Sequence, residues 1–255
     1  MKIMFLNKAP KNAAVYDVEK IENLLNSYAS PGTKVEVCFP DNFPGSKIED
    51  LIGSQSKLNG LDHMMDLPAL IRKIVWAADN GYDAVIQSNT FDPGVDGGRL
   101  CVSIPVLGPF RTTLHAAAVL ADRIGITVPL ASHVPYTWRL ARSYGMAETI
   151  TDIRPVGIYG ADLGDRRQEI TDTAIGVIKG LVSDTGAECV IPLGGAIIPY
   201  IVDPDDLEAG AGVPVLNTKS VTIRFAETCV GLGISHSPLT YPRAELSYED
   251  FSREA

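Results

Sequence analysis

The chain has 255 residues, of which 45% are apolar and 21% charged, as is typical of a folded globular protein. Its formal charge of −9, with no cluster of lysine and arginine, argues against a nucleic-acid surface. No apolar run is long enough for a signal peptide or a membrane span, so we expect a cytoplasmic protein with no membrane partner. The four cysteines form no CxxC pair, which indicates reduced thiols rather than a disulfide framework or a zinc site.

Strands and helices alternate through the first part of the chain. Apolar runs predict strands at residues 2–7, 33–39 and 83–87, and helical spacing predicts helices at 14–29 and 66–80. This order predicts a parallel sheet with right-handed crossovers. Residues 40–60 are irregular and are expected to form a surface excursion or flap.

The second part of the chain continues the same alternation. Helices are predicted at 109–122, 133–144 and 170–183, and strands at 125–130 and 150–158. The last twenty residues are rich in proline, serine and acidic side chains. We expect them to lie on the surface as extended chain.

An internal repeat indicates that the two parts are related. GYDAVIQSN at 81–89 is echoed by GAECVIPLG at 186–194, and IPVLG at 104–108 is echoed by VPVLN at 213–217. The segments at 104–108 and 213–217 each open a helix rich in small residues, at 109–122 and 218–231. The repeat predicts an α/β fold with two similar lobes, each a mostly parallel sheet flanked by helices. The expected lobes are 1–110 with 217–255, and 111–216, with the active site in the cleft between them.

The loop after the predicted strand 83–87 is the first candidate for a functional site. Ligands of parallel α/β proteins bind at the carboxyl ends of strands. Ser88, Asn89 and Thr90 offer hydroxyl and amide groups that suit a carboxylate or an enolate. Asp92 is either a general base or the residue that closes an Asx turn. An ordinary polar turn is the alternative interpretation of the whole loop.

Other candidates follow the remaining strands. Each lies at a predicted strand end or at the start of a helix, where it can reach the same ligand: Asn7, Arg111, His133, Gly194, Gly195 and His236. The arginine suits a carboxylate. The two glycines would let backbone amides approach an anion at a helix N-terminus. The histidines are candidates for proton transfer, and their spacing does not require a metal.

Four segments together resemble the Asp/Glu/hydantoin racemase superfamily, in particular its hydantoin racemase branch. They are DAVIQSNTFDPGVDGGR, IPVLGPFRTTLHAAAVLADRIGI, CVIPLGGAIIPY with the following VPVLN, and GLGISHSPLTYPR. The resemblance covers most of the chain in the same order. It implies two pseudo-symmetric lobes, no cofactor, small carboxylates or cyclic ureides as substrates, and a homo-oligomer.

The chain departs from that superfamily at its two catalytic cysteines. The resemblance places the first at Ser88 or Asn89 and the second at Gly195, and none of these is a cysteine. A serine hydroxyl is too weak an acid to replace a thiol without an activating partner. We therefore expect isomerase or lyase chemistry on a small carboxylate, imide or ureide without the two-thiol mechanism. A ligand-binding homologue without catalysis and a hydrolase, with or without a metal, are the alternatives.

Overall fold

The computed structural model describes residues 1–8, 11, 17–41, 61–158, 166–194 and 197–252. The predicted fold class is confirmed, because parallel sheets flanked by helices form the chain. The described residues divide into two units. The first takes in 1–41, 61–109 and 222–252, and the second takes in 110–221. Most of the flap expected at 40–60 lies outside the described residues.

The sheet of the first unit has four parallel strands in the order β2-β1-β3-β4. These are β1 Lys2–Leu6, β2 Lys34–Cys38, β3 Ala84–Gln87 and β4 Val106–Leu107. The helices that precede or follow these strands in the chain are α1 Val18–Tyr28, α2 Leu61–Asp79, α3 Val95–Arg99 and α4 Pro109–Leu120, of which α4 belongs to the second unit from Phe110 onward. Leu70 and Ile74 of α2 are buried in the core of this unit with Val85 of β3. Burial of each such side chain contributes about 1.5–3 kcal/mol to folding.

The sheet of the second unit has three named parallel strands in the order β6-β5-β7. They are β5 Ile124–Val128, β6 Ile150–Pro155 and β7 Cys189–Pro192. The remaining helices are α5 His133–Ser143, α6 Arg167–Thr185, α7 Pro204–Ala211 and α8 Thr218–Leu232. Val215 forms an isolated parallel bridge with Val190, so the predicted strand VPVLN contributes one bridge in place of a full strand.

The two sheets repeat the same hydrogen-bond pattern. In the first, the amide of Val85 donates to the carbonyl of Pro105 at 2.9 Å, and in the second, the amide of Val190 donates to the carbonyl of Pro214 at 2.9 Å. With the bridge at Val215 counted as a fourth position, both sheets have the same strand order. The repeat read in the sequence is therefore present in the backbone.

Helix α2 begins earlier than expected. The sequence predicted a start near Asp66 because proline is favoured in the first turn, whereas the helix begins at Leu61 and Pro68 lies inside it. A proline at this depth removes one backbone hydrogen bond, and the apolar face from Leu70 onward packs in the core and outweighs that loss. The short helices α3 and α7 were not predicted. None of the helices in the described ranges combines the length and apolar composition needed to cross a bilayer.

Candidate functional site

The carboxyl edge of the first sheet collects the polar residues that follow β1 and β3. Leu6 pairs with Gln87 at the ends of these strands, and the amide of Ser88 donates to the carbonyl of Leu6 at 2.8 Å. The amide of Asn7 donates to the carbonyl of Cys38 at 2.7 Å. Because neighbouring strands lie about 4.8 Å apart, Asn7 and Ser88 leave the sheet side by side. Both are half-buried at the edge where parallel sheets bind ligands.

The side chain of Gln87 organises the loop after β3. It is 1% exposed, and its Nε2 donates to the carbonyl of Pro93 at 2.9 Å. Its Oε1 accepts from the amide of Asn89 at 3.1 Å. One buried carboxamide therefore holds both ends of the loop, and buried polar groups bonded in this way restrict motion. Sequence reasoning treated Gln87 only as part of a strand, although a polar residue ending an apolar run was the available signal.

Asn89 closes an Asx turn at the start of this loop, a turn that the sequence considered only at Asp92. Its Oδ1 accepts from the amide of Phe91 at 2.9 Å, and its carbonyl accepts from the amide of Asp92 at 3.1 Å. Within the described part of the chain, no residue accepts a hydrogen bond from its Nδ2 group. Asn89 is half-buried, so this Nδ2 group lies near the protein surface. Thr90 beside it is 1% exposed, which sets its hydroxyl deeper in the protein.

Asp92 adopts an unusual backbone conformation beside the start of α4. Its φ of 54° is in the left-handed region. Among the described residues, Asp92 is the one residue other than glycine with a positive φ. Its carboxyl group is buried against Gly108, the residue just before α4 begins. A helix N-terminus favours a negative charge. Asp92 is thus fixed by its backbone and by its contact with Gly108.

A buried ion pair, absent from the sequence predictions, stands at the same edge. Nζ of Lys8 lies 3.4 Å from Oδ2 of Asp66, which belongs to α2. Lys8 comes two residues after the last residue of β1, next to the predicted binding residue Asn7. The sequence showed a lysine in a strand-end loop, but its partner becomes adjacent only when α2 packs on the sheet.

The second unit ends β7 in the same way. The amide of Leu193 donates to the carbonyl of Thr127 at 2.8 Å, which repeats the bond made by Ser88 in the first unit. Gly194 has a φ of 123°, and a Cβ atom there would lie 2.8 Å from Cγ of Pro129. Gly195 lies outside the described residues. The helix expected after this pair is replaced by turns at 197–201, because the carbonyl of Gly194 accepts from the amide of Ile197 at 2.9 Å.

The second unit also contains Arg111, His133 and a buried lysine. The guanidinium of Arg111 lies 5.3 Å above the ring of Tyr144, a distance suited to a cation–π contact. His133 is the first residue of α5 and is buried. Lys219, near the start of α8, is fully buried, and its amide donates to Oδ1 of Asn217 at 3.0 Å. Sequence reasoning missed Lys219, because its helix was noted only for its small residues.

His236 lies in the first unit and anchors the C-terminal tail. Its Nε2 lies 2.8 Å from the carbonyl of Val102, and its ring meets the ring of Tyr241 edge-on at 5.8 Å. The hydroxyl of Tyr241 accepts from the buried guanidinium of Arg99 at 3.1 Å and donates to Asp96 at 3.1 Å. Burial lowers the pKa of His236 from its ordinary value, and the positive charge of Arg99 lowers it further. This geometry favours an anchoring role over proton transfer.

None of the four cysteines belongs to the loop after β3. Cys38 is the last residue of β2, at the same carboxyl edge as Asn7, and its thiol lies 3.5 Å from the hydroxyl of Tyr82. Cys189 starts β7, about 10 Å from its carboxyl end at about 3.3 Å per residue. Cys101 and Cys229 are buried and Cys38 is half-buried. Burial raises the pKa of all four thiols, and that of Cys189 to about 11. The described residues contain no group of three or more His, Cys, Asp or Glu side chains that could hold a metal ion.

Each unit is thus a parallel α/β sheet flanked by helices, the class of fold that the sequence predicted. The family model described as Asp/Glu/Hydantoin racemase matches residues 11–226. The chain belongs to this family.

Known proteins support the same assignment. The chain is 29% identical over 254 residues to a hydantoin racemase of Pseudomonas sp. (strain NS671), covering 96% of this chain and 92% of that protein. The crystal structure of allantoin racemase from Pseudomonas fluorescens superposes with a TM-score of 0.81 at 20% identity, over 97% of this chain and 98% of that one. A crystal structure of arylmalonate decarboxylase gives a TM-score of 0.59 at 14% identity, over 94% and 97% of the chains.

Proposed function

We propose that the chain is an enzyme that acts on a small carboxylate, cyclic imide or ureide by isomerase or lyase chemistry without a pair of thiols. The family and its relatives support an enzyme of this general kind. One observation carries the finer proposal. The loop after β3 presents hydroxyl, carboxamide and carboxylate groups at the ligand-binding edge, and none of its residues is a cysteine.

The chemistry requires a group that removes or delivers a proton and donors that stabilise the resulting enolate. The Nδ2 group of Asn89 and the hydroxyl of Ser88 supply the donors beside β1. Asp92, fixed against Gly108, supplies a carboxylate for proton transfer in the first unit. His133 supplies an imidazole at the start of α5 in the second unit. We assign to His236 the role of anchoring the C-terminal tail, because its ring forms a hydrogen bond with the carbonyl of Val102.

Thiol chemistry is disfavoured on physical grounds. The thiolate, and not the thiol, removes protons and attacks carbon. Since burial raises the pKa of each cysteine, very little thiolate forms near neutral pH.

Proton NMR in D₂O with a panel of hydantoins, malonates, maleate and amino acids tests the proposal. We expect deuterium at a substrate α-carbon, or a new product, with at least one compound. Line broadening without any product would instead identify a binding protein, and no effect from the whole panel would contradict the substrate class.

Matched variants locate the site in the same experiment. Ser88→Ala and Asn89→Ala should weaken ligand binding more than Cys189→Ala, because only the first two lie at the carboxyl edge. The reverse order would place the site elsewhere.

A further inference from the structure

We propose that Lys8 binds the anionic group of the substrate, and that Asp66 is the positioning residue that holds its ammonium at the carboxyl edge of the first sheet. The inference rests on the proposed function and narrows the substrate class. It selects compounds that carry a carboxylate over uncharged cyclic ureides.

The burial of the pair is the first observation. The side chains of Lys8 and Asp66 are 10% and 8% exposed, although lysine and aspartate are rarely buried. A buried ion pair seldom stabilises a fold more than apolar residues of the same size would, because both charges lose their hydration. Stability therefore does not explain why the pair is buried. Binding of a charged ligand at this edge does explain it.

The position of the pair is the second observation. Lys8 follows Asn7, and Asn7 leaves the sheet beside Ser88 at the ends of β1 and β3. Asp66 lies in the N-terminal part of α2, whose later turns pack in the core of the same unit. Lys8 therefore belongs to the same carboxyl edge of the sheet as the loop that offers neutral donors. In a protein of formal charge −9, a buried cation at this edge is a local exception.

A second lysine–carboxylate pair, at the other end of β1, shows the contrast. Nζ of Lys2 lies 3.2 Å from Oε2 of Glu36 at the opposite, amino end of β1, and these side chains are 39% and 21% exposed. That pair is partly hydrated and stands at the end of the strand where parallel sheets do not bind ligands. The Lys2–Glu36 pair has the same chemical groups away from the ligand-binding edge, and it therefore serves as the matched control.

The donor set defines the ligand. An ammonium supplies a compact positive charge with three donors, and charge-assisted hydrogen bonds to a carboxylate are about twice as strong as neutral ones. Ser88 and Asn89 add neutral donors at the same edge of the sheet. A carboxylate would gain from the whole set, whereas an uncharged ureide would gain only from the neutral donors.

Titration calorimetry on the full chain with malonate and with unsubstituted hydantoin tests the inference. The double variant Lys8→Gln with Asp66→Asn removes both charges and keeps two groups that can bond each other. We expect its Kd for malonate to rise by about tenfold or more, with the Kd for hydantoin changed by less than about twofold. The control variant Lys2→Gln with Glu36→Gln should leave both Kd values unchanged within about twofold.

A measurement on the wild type avoids any effect of substitution on folding. Malonate should protect Lys8 from acetylation by acetic anhydride, read by peptide mass spectrometry, and should leave the acetylation of Lys2 unchanged. Equal acetylation of Lys8 with and without malonate would overturn the inference.

Failure of the inference and failure of the proposed function are distinguishable. Turnover of a panel compound, together with an unchanged malonate Kd in the Lys8 and Asp66 double variant, would overturn only the inference. Lys8-dependent malonate binding with no turnover of any compound would overturn the enzymatic proposal and support the anion site. Absence of malonate binding by the wild type would overturn the inference outright.

Discussion

The carboxyl group of Asp92 lies so close to Gly108 that a Cβ atom on this glycine would stand 2.3 Å from Cγ of Asp92 and 2.6 Å from each carboxylate oxygen. Glycine is therefore required at position 108, because a side chain there would occupy the space that the Asp92 carboxyl group fills. Asp92 is itself held in the left-handed region with a φ of 54°. In the candidate site, the two residues together fix a carboxylate just before the first turn of α4.

Gly108→Ala should lower the free energy of unfolding by about 1–3 kcal/mol, because the added methyl group overpacks the contact with Asp92. In an Asp92→Gly background the same substitution should change the free energy of unfolding by less than about 0.5 kcal/mol. Glycine accepts the left-handed backbone and leaves room for the methyl group. Urea unfolding of the four proteins measures the coupling.

Gly176→Ala is the control, because it adds the same methyl group at a glycine that has no close neighbour. A Cβ atom at Gly176 would meet no other atom within 4 Å, so alanine there should stabilise α6 by about 0.5–1 kcal/mol. Equal losses from Gly108→Ala in both backgrounds would show that Asp92 does not occupy the space.

Asn89→Asp should separate the two functions of that side chain. The aspartate keeps an oxygen for the amide of Phe91, so the free energy of unfolding should change by less than about 0.5 kcal/mol. It replaces the Nδ2 donor by a negative charge, so malonate affinity should fall by about tenfold or more. Calorimetry and urea unfolding measure the two effects. Unchanged malonate affinity would mean that Asn89 does not face the ligand.

The cysteines should react slowly in the folded protein. With its pKa raised to about 11, Cys189 is a thiolate in about one molecule per thousand at about pH 8. We expect iodoacetamide to label the native chain about a hundredfold more slowly than the urea-unfolded chain, with Cys38 first because it is half-buried. Intact-mass spectrometry follows the reaction. Fast labelling of one thiol, together with loss of turnover, would show that a cysteine takes part in catalysis.

His236 should make the stability of the first unit depend on pH. Burial lowers its pKa below the ordinary 6.5, so the folded state favours the neutral ring. Its contribution is complete above pH 6.5 and is lost as the pH falls through that value toward the lowered pKa. The urea midpoint of the wild type should therefore fall more between about pH 7.5 and about pH 5.5 than that of His236→Gln. Equal changes would show that the ring does not contribute.

Much of the fold could be predicted because buried parallel strands are short apolar runs, and the repeat doubled the signal. The missed helices have local explanations. Helix α3 has only five residues, two of them glycine, and gave no periodic pattern. Helix α7 did carry its signals, since Oδ1 of Asp203 accepts from the amide of Asp205 and Gly212 ends the helix, but it is only eight residues long.

The candidate site could be predicted only as far as strand ends allow. The position of Ser88, Asn89 and Asp92 followed from the rule that ligands bind beyond the carboxyl ends of parallel strands. The contacts that fix these residues could not be derived locally. The ion pair of Lys8 with Asp66 and the fit of Asp92 on Gly108 join residues distant in the chain, which only tertiary packing brings together.

The division of the chain into units also determines the order in which they can be completed during synthesis. The second unit draws its described residues from one stretch, 110–221, whereas the first needs 222–252 as well. Domains form once their own residues have left the ribosome. A nascent chain that stops before residue 222 therefore carries the residues of a complete second unit, together with a first unit that still lacks most of α8 and the anchored tail.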